Sequence, residues 1–311
     1  MTIRHLVIPG GGPTGFQALG ALQELEQTGF WKIEDIKTIY ATSVGTIISV
    51  LIALKFDWPS IIDYVVLRPW HETFPIDIQQ VIGVYYKKGL FDTSVIELFY
   101  RPFFETKDIS LNITMREFYE LTNIELHMFS LELNDFEIKD INYITFPDLP
   151  IVKAVHMSCS LPGIMTPVCF DEKCFVDGGF ISNYPIKFCV EKEKNVEEIL
   201  GIQNIYTDSH TKNITDDSTM LDYIMHFIIK LITKVCSNTT YEGQLPYELK
   251  YETTLMTMEH MKEVLYSSDA RQQLINKGID AAKCFLRELE LTHGTKERED
   301  NEVHVTMENG I

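Results

Sequence analysis

The sequence predicts an α/β fold, with three α/β/α layers around a mostly parallel central sheet. Two strand–loop–helix units near the start of the chain carry this prediction. Residues 3–9 form a short β-prone run that ends at a glycine loop, and a helical pattern with apolar residues three apart follows. Residues 36–40 form a second strand, which turns into an apolar helix at about 46–54. Strand, loop and helix in repetition are typical of parallel strands joined by crossover helices.

The rest of the chain adds further strands and helices to these layers. Residues 55–125 are predicted to form a mostly helical insert that covers one side of the sheet. Beyond the insert we predict strands at 126–133, 136–146, 170–176 and 198–206, and helices at 151–158, 219–236, 253–266 and 269–290. Asn134-Asp135 is the hairpin turn between the first two of these strands. We expect one domain over residues 1–291, with a helical C-terminus and a flexible tail at 292–311.

Composition and charge exclude several classes of function. The 311 residues are 45% hydrophobic and 23% charged, which is ordinary for a globular protein with a sizeable core. The net charge of −18 repels phosphate backbones, so nucleic-acid binding is not expected. The same charge means that contact with an anionic lipid surface must rest on apolar burial.

The six cysteines and the start of the chain bear on metal content and compartment. No cysteine pair or Cys/His cluster has the spacing of a zinc site, and we expect free thiols, no metal and no cofactor. The chain shows no signal-peptide pattern and no apolar run long enough to span a bilayer. We therefore expect a cytoplasmic protein, and the sequence leaves its oligomeric state open.

The first motif is the glycine loop Gly10-Gly11-Gly12-Pro13-Thr14-Gly15, which follows the first strand. Glycines there let the backbone approach a ligand closely, and the next helix directs free N–H groups and its positive dipole end towards an anion. A dinucleotide site is an alternative interpretation. That fold expects an acidic residue at the end of the second strand, but here this strand runs into a serine turn.

The second and third motifs each place a reactive side chain directly after a strand. Ala41-Thr42-Ser43-Val44-Gly45 has the small residues that a nucleophile elbow needs to lift a serine hydroxyl clear of the backbone. The alternative is that Ser43 caps the following helix. Asp177-Gly178-Gly179 leaves a carboxylate free of steric cover, although an Asp-Gly turn is the commoner meaning of that dipeptide.

Together these motifs resemble the patatin-like phospholipase family, which combines a GGGxxG loop, a GxSxG elbow and a DG[GA] motif in that order. Residues 150–162 resemble the family's helix and Ser-x-x-x-Pro stretch, and residues 175–185 resemble its aspartate motif. The similarity covers roughly residues 5–55 and 126–205. Ala41 replaces the usual glycine, Val44 stands where alanine or glycine is frequent, and Thr14 replaces a frequent basic residue.

The resemblance implies a serine lipid acyl hydrolase of the phospholipase A or lysophospholipase type. Ser43 is then the nucleophile, Asp177 the general base, and the N–H groups of Gly11 and Gly12 the oxyanion hole. A carboxylate can act as base near neutral pH only if its pKa is raised, so we expect Asp177 to be buried. The implied partner is a lipid or phospholipid substrate, met through peripheral and transient membrane contact.

Three alternatives stay open at this point. A Ser–His–Asp triad would recruit one of the histidines that follow the acid, namely His210, His226, His260 or His293. The chain could instead be a neutral-lipid hydrolase or acyltransferase, or a patatin-shaped protein that binds lipid or a partner without turnover.

The apolar residues of two segments also allow more than one interpretation. Residues 219–236 form an apolar helix that could be a lid or a membrane-contacting surface, and we favour a helix packed on the sheet. Asp222, His226, Lys230 and Lys234 recur every four residues in that segment as a polar stripe. Several phenylalanines could line an acyl-chain pocket, although core packing is favoured for most of them: Phe91, Phe99, Phe103 and Phe104.

Overall fold

The structure is a computed structural model that describes residues 2–74, 78–207, 213–236, 241, 243–254 and 258–308. It confirms the predicted α/β class and the mostly parallel sheet. The strands are β1 (His5–Ile8), β2 (Thr38–Thr42), β3 (Gly89–Phe91), β4 (Glu125–Glu132), β5 (Glu137–Ile141), β6 (Gly163–Met165), β7 (Val168–Phe170), β8 (Lys173–Asp177), β9 (Ile199–Thr207) and β10 (Glu248–Thr254).

Helices cover the sheet and account for most of the remaining described chain. They are α1 (Gly15–Gln27), α2 (Val44–Ala53), α3 (Trp58–Leu67), α4 (Trp70–Thr73), α5 (Ile78–Lys87), α6 (Thr93–Thr106), α7 (Met115–Thr122), α8 (Ile151–Cys159), α9 (Gly179–Ser182), α10 (Ile186–Glu193), α11 (Met220–Cys236), α12 (Met258–Tyr266) and α13 (Ser268–Glu308). The insert at 55–125 is therefore mostly helical, as the sequence predicts.

The main sheet brings the ends of β1 and β2 together at its centre. Its order is β10-β9-β1-β2-β4-β8-β7, with β5 paired to β4. Strands β10 to β4 in this order are parallel, whereas β5, β7 and β8 add antiparallel pairs. In the register, Ile8 pairs with Ala41 and Thr42 with Phe129, so these strands finish close to one another. The loops that follow them meet at this edge, which we call the carboxyl edge.

The core explains why the central strands are apolar on both faces. All four residues of β1 and all five of β2 are buried. A large apolar cluster on one face includes residues of α1, α2, α6 and α8, while a smaller one on the other face includes Ile186 and Cys189 of α10. Two-sided cover of this kind gives continuous apolar runs instead of alternation, which is the pattern of β1 and β2.

A buried ionic cluster lies at the opposite edge of the sheet, where β2 and β4 begin. His127 of β4 stacks on Tyr40, with ring centroids 4.2 Å apart. Its Nδ1 lies 2.7 Å from Asp140 Oδ2, and its Nε2 lies 3.1 Å from Glu125 Oε1. Burial by itself lowers the pKa of His127, but the hydrogen bonds with Asp140 and Glu125 outweigh it and the pKa is raised above 6.5. The cluster therefore favours a charged imidazole inside the fold.

Three predicted boundaries are wrong, each for a local reason. The strand predicted at 170–176 is a hairpin of β7 and β8, because Asp171 and Glu172 both take positive φ and form a tight turn. Residues 253–254, predicted as helix, end the edge strand β10, in which Leu249, Tyr251 and Thr253 are buried in alternation. The strand predicted to reach residue 146 stops at 141, where the Asn142 side chain accepts two backbone hydrogen bonds and turns the chain.

The C-terminal helix is longer than predicted. Helix α13 packs along α1 and continues as one helix to Glu308, so the backbone at 292–308 is helical and not irregular. The final three residues of the expected tail lie outside the described chain. Within the described residues, none of the helices has both the length and the apolar content needed to cross a bilayer.

Candidate active site

Ser43 lies on a strained turn between β2 and α2. Its φ of 52° and ψ of −128° are rare for a residue with a side chain, and conformations of this kind cost roughly 1–3 kcal/mol. Gly45 permits the tight turn, because a Cβ atom there would approach the carbonyl oxygens of Ile8 and Pro9 at 2.6 and 2.8 Å. The Ser43 side chain forms no helix-capping hydrogen bond, so the capping alternative is wrong. The hydroxyl is turned towards another strand.

That strand is β8, which ends at Asp177. Ser43 Oγ donates a hydrogen bond of 2.7 Å to Asp177 Oδ2. The other carboxylate oxygen, Oδ1, accepts the Gly179 N–H at 2.8 Å, and the Asp177 N–H donates to the Ser160 carbonyl at 3.0 Å. The backbone of Asp177 and the turn that follows it therefore fix the position of the carboxylate, and its second oxygen accepts the hydrogen bond from Ser43. Two residues 134 positions apart in the chain meet at the carboxyl edge.

The environment of Asp177 changes its acidity in the direction that a base requires. The residue is 4% exposed. Burial raises the pKa of Asp177 from 3.8 to about 6, while the hydrogen bonds from Ser43 and Gly179 oppose that rise. Because a pKa near 6 leaves the group mostly ionised at pH 7, the carboxylate can accept a proton there.

The glycine loop lies against the serine turn. Gly11 and Gly12 have φ of 146° and 54°, which side chains rarely adopt. A Cβ atom on Gly10 would come within 3.0 Å of the Ser43 Cβ, and one on Gly15 within 2.6 Å of a Val44 methyl group. Within the described chain, no hydrogen bond uses the N–H of Gly11 or Gly12. These donors are thus available to a bound group beside Ser43.

Two asparagines hold the loop in this orientation. The Gly10 carbonyl accepts hydrogen bonds from Asn204 Nδ2 at 2.7 Å and from Asn183 Nδ2 at 3.3 Å. The Gly10 N–H donates to the Asn183 carbonyl at 2.8 Å. Since a carbonyl and the next N–H point in opposite directions across a planar peptide, this anchoring directs the Gly11 N–H away from the asparagines. Sequence reasoning missed Asn204, whose side chain is buried in strand β9 and has no motif around it.

A further support was not predicted. Ser158 of α8 is fully buried, and its hydroxyl accepts the Ser43 N–H at 2.9 Å while donating to the Phe129 carbonyl at 2.5 Å. It links the serine turn to β4 and satisfies an N–H that the strained turn leaves without a helical partner. Its position in the Ser-x-x-x-Pro stretch was the available signal, but that pattern does not indicate which group the hydroxyl contacts.

The described histidines do not complete a triad. In the part of the chain that the structure describes, the Ser43 hydroxyl has no hydrogen bond with a histidine. His226 lies in α11 and His260 in α12. His210 and the side chain of His293 lie outside the described residues. Among the described residues there is also no group of three or more His, Cys, Asp or Glu side chains placed to hold a metal ion.

An apolar cavity of about 200 Å³ lies next to the serine turn. Gly12 and Val44, which flank the site, form part of its wall. Phe99 lines it too, whereas Phe91, Phe103 and Phe104 are buried in the core and do not. Apart from Pro13 and Phe74, the other lining residues come from five helices: α1, α2, α3, α4 and α12. With apolar residues throughout the wall, the cavity suits a hydrocarbon chain.

The fold and the site together define a layered α/β protein with a serine on a strand-to-helix turn, bonded to a buried aspartate beside a glycine loop. A family model described as patatin-like phospholipase matches residues 6–190, which contain all three motifs. The chain belongs to the patatin-like phospholipase family, and this membership supports lipid hydrolase activity.

Several known proteins are similar to this chain. An uncharacterized protein of Acanthamoeba polyphaga mimivirus is 26% identical over 293 residues, which cover 90% of this chain and 93% of that protein. A probable lipid hydrolase of Invertebrate iridescent virus 6 is 25% identical over 218 residues, covering 68% and 73%. The crystal structure of VipD from Legionella pneumophila has a TM-score of 0.55 at 14% identity, covering 93% of this chain and 67% of VipD. At that identity the similarity is one of fold.

Proposed function

We propose that this protein is a serine lipid acyl hydrolase of the phospholipase A or lysophospholipase type, with Ser43 and Asp177 as its catalytic pair. The observation that carries the proposal is the hydrogen bond of 2.7 Å from Ser43 Oγ to a carboxylate whose pKa is raised to about 6. A hydroxyl bonded to a partly desolvated base is the arrangement that an activated serine nucleophile needs.

The reaction follows from the positions of these groups. Ser43 Oγ attacks the acyl carbonyl carbon as its proton passes to Asp177 Oδ2. The negative charge that develops on the carbonyl oxygen is stabilised by the free N–H groups of Gly11 and Gly12, and one such donor contributes about 3–4 kcal/mol in other enzymes. Asp177 then protonates the departing alcohol oxygen, which leaves an acyl-serine. Water, deprotonated by Asp177, attacks that ester, and Asp177 returns the proton to Ser43 Oγ as the fatty acid leaves.

The apolar cavity supports an ester with a long hydrocarbon chain as substrate. Its wall includes Val44, the residue directly after the nucleophile, and extends to Leu51, Trp70 and Phe99. An acyl chain that enters beside Val44 would leave its carbonyl close to Ser43 and the glycine loop. Transfer of apolar surface from water into such a cavity contributes about 25 cal/mol per Å².

A fluorophosphonate probe tests the proposed nucleophile. We expect the folded protein to be labelled at one site, and labelling to disappear in Ser43→Ala and to fall strongly in Asp177→Asn. Ser49→Ala is the matched control, since Ser49 is a buried serine of α2, the helix that follows Ser43, and its hydroxyl donates to the Thr46 carbonyl. Failure to label the folded wild type would favour a lipid-binding protein without turnover.

A panel of defined lipids tests the proposed substrate class. The protein is incubated with phospholipids, lysophospholipids and triacylglycerols, and released fatty acid is measured by mass spectrometry, with Ser43→Ala as the blank. Release from phospholipid or lysophospholipid is expected. Release from triacylglycerol alone would contradict the phospholipase assignment while leaving the nucleophile unchanged.

A further inference from the structure

Helix α11 presents an apolar face to solvent. The exposed residues are Met220, Tyr223, Ile224, Phe227 and Leu231, and Phe227 is 60% exposed. Their spacing of three and four residues places them along one side of the helix. The favoured interpretation from sequence, a helix packed on the sheet, is therefore wrong for this face. Soluble proteins rarely expose a contiguous apolar stripe of this kind without a binding role.

The exposed face lies at the same edge of the sheet as the serine site. Strand β9 runs parallel to β1 and continues beyond it, from Gly201 opposite Val7 to Thr207, so it ends past the carboxyl edge. Helix α11 follows from there and packs on α9, which begins two residues after Asp177. The apolar face and the serine–aspartate pair are thus joined through α9.

The charge on α11 differs from that of the rest of the chain. The helix carries Lys230 and Lys234 against one acidic residue, Asp222, whereas the whole chain has a net charge of −18. At their helical spacing Lys230 lies beside Tyr223 at one border of the apolar stripe, and Lys234 continues that side of the stripe one turn further on, while Asp222 lies near the opposite face. An apolar face bordered by lysines is complementary to a layer of lipid phosphates above acyl chains. The acidic remainder of the protein opposes a surface with net negative charge.

We propose that the α11 face, defined as Met220, Tyr223, Ile224, Phe227 and Leu231, docks the protein on a zwitterionic phospholipid surface. This rests on the proposed function, because a lipid acyl hydrolase must take its substrate from such a surface. Docking through α11 holds the carboxyl edge, and with it Ser43, at the lipid interface. Asp222 and His226 then remain on the water side of the helix, and the apolar face exchanges solvent for acyl chains.

The test is co-sedimentation with phosphatidylcholine vesicles in the Ser43→Ala background, which prevents hydrolysis. Phe227→Asp in that background is expected to lower the vesicle partition coefficient at least about tenfold, because a charge replaces an apolar side chain that would be buried. Leu121→Asp is the matched control. Leu121 is 56% exposed on α7, just before β4 begins, and so lies at the opposite edge of the sheet. Leu121→Asp adds the same charge as Phe227→Asp and should leave the vesicle partition coefficient unchanged.

Two further measurements make the outcomes decisive. With Ser43 intact, Phe227→Asp should hydrolyse a water-soluble short-chain ester at the wild-type rate but act at least about tenfold more slowly on vesicles. Equal sedimentation of the Phe227 and Leu121 variants overturns the docking proposal, as does a dimer that Phe227→Asp converts to monomer without vesicle binding. Vesicle binding that depends on Phe227 in a protein without any esterase activity would instead sustain docking and reject the proposed function.

Discussion

Replacing Asp177 with asparagine should stabilise the fold while it removes catalysis. Burial raises the pKa of this carboxyl from 3.8 to about 6. Because the pKa of Asp177 is higher in the folded protein than in the unfolded chain, the folded state binds this proton more tightly. The resulting contribution to stability is complete below pH 3.8 and is lost as the pH rises through 6. With about 1.4 kcal/mol for each pKa unit, ionised Asp177 costs roughly 3 kcal/mol at pH 8. Asparagine has the same shape, carries no charge and can still accept the Gly179 N–H.

The measurement is urea unfolding of wild type and Asp177→Asn at two pH values, followed by circular dichroism. We expect the variant to gain up to about 3 kcal/mol in the free energy of unfolding at pH 8, and about 1 kcal/mol at pH 4.5, where much of the wild-type carboxyl is already neutral. Asp148→Asn is the control, because that side chain is 91% exposed. Its substitution should change stability by less than about 0.5 kcal/mol at either pH.

Two results would refute this reasoning. If Asp177→Asn is less stable than wild type at pH 8, the fold stabilises the ionised carboxylate and burial does not raise its pKa. If the variant gains the same stability at both pH values, the gain has another source than the charge. Hydrolysis supplies an independent check, since wild-type activity should rise with pH through about 6 as the base ionises.

Three further predictions follow from the contacts around the site and the sheet. Gly45→Ala should lower the free energy of unfolding by about 1–3 kcal/mol and slow fluorophosphonate labelling, because the new Cβ would meet two carbonyl oxygens. Gly83→Ala in α5 is the control: the space around Gly83 is open, so this substitution should not destabilise the protein. Ser158→Ala should slow the same labelling and lower the free energy of unfolding in urea by about 1–3 kcal/mol, because it leaves the Ser43 N–H and the Phe129 carbonyl unpaired. Labelling at the wild-type rate would contradict a positioning role for Ser158. His127→Gln should lower the free energy of unfolding more at pH 6 than at pH 9. The raised pKa of His127 in the fold contributes stability below pH 6.5, and that contribution is lost as pH rises through the folded pKa. Equal losses at both pH values in urea unfolding would contradict this.

Much of the fold could be predicted because its strongest signals are local. The glycine loop, the serine turn and the aspartate turn each occupy a few adjacent residues, and each needs particular small residues for steric reasons. Short β-prone runs followed by helical patterns identified β1 and β2, and a less regular mixture of apolar, charged and aromatic residues was interpreted as the helical insert. The same reasoning failed at β10, an edge strand whose alternation is short, and at the turn between β7 and β8, where two residues with side chains adopt positive φ.

The motifs predicted which residues form the candidate site, but not the hydrogen bonds that support them. The proximity of Ser43 and Asp177 was predicted, and the hydrogen bond between them confirms it. The roles of Ser158 and Asn204 could not be predicted, because serine and asparagine occur in many buried positions and their partners come from distant strands. An exposed apolar face on residues 219–236 was only the less favoured alternative, since an apolar helical pattern does not indicate whether its partner is the protein or a lipid.

The sequence by itself determined the family and the mostly parallel α/β class and indicated the two residues that we propose as the catalytic pair, because these depend on short motifs and on the order of strands and helices. Only the tertiary structure showed how the carboxylate is buried, that the loop is anchored by asparagines, that a cavity adjoins Val44, and that one apolar face of α11 is exposed. Each of these is a property of packing between segments far apart in the chain. Solvent exclusion, and with it the pKa of Asp177, arises only when those segments meet.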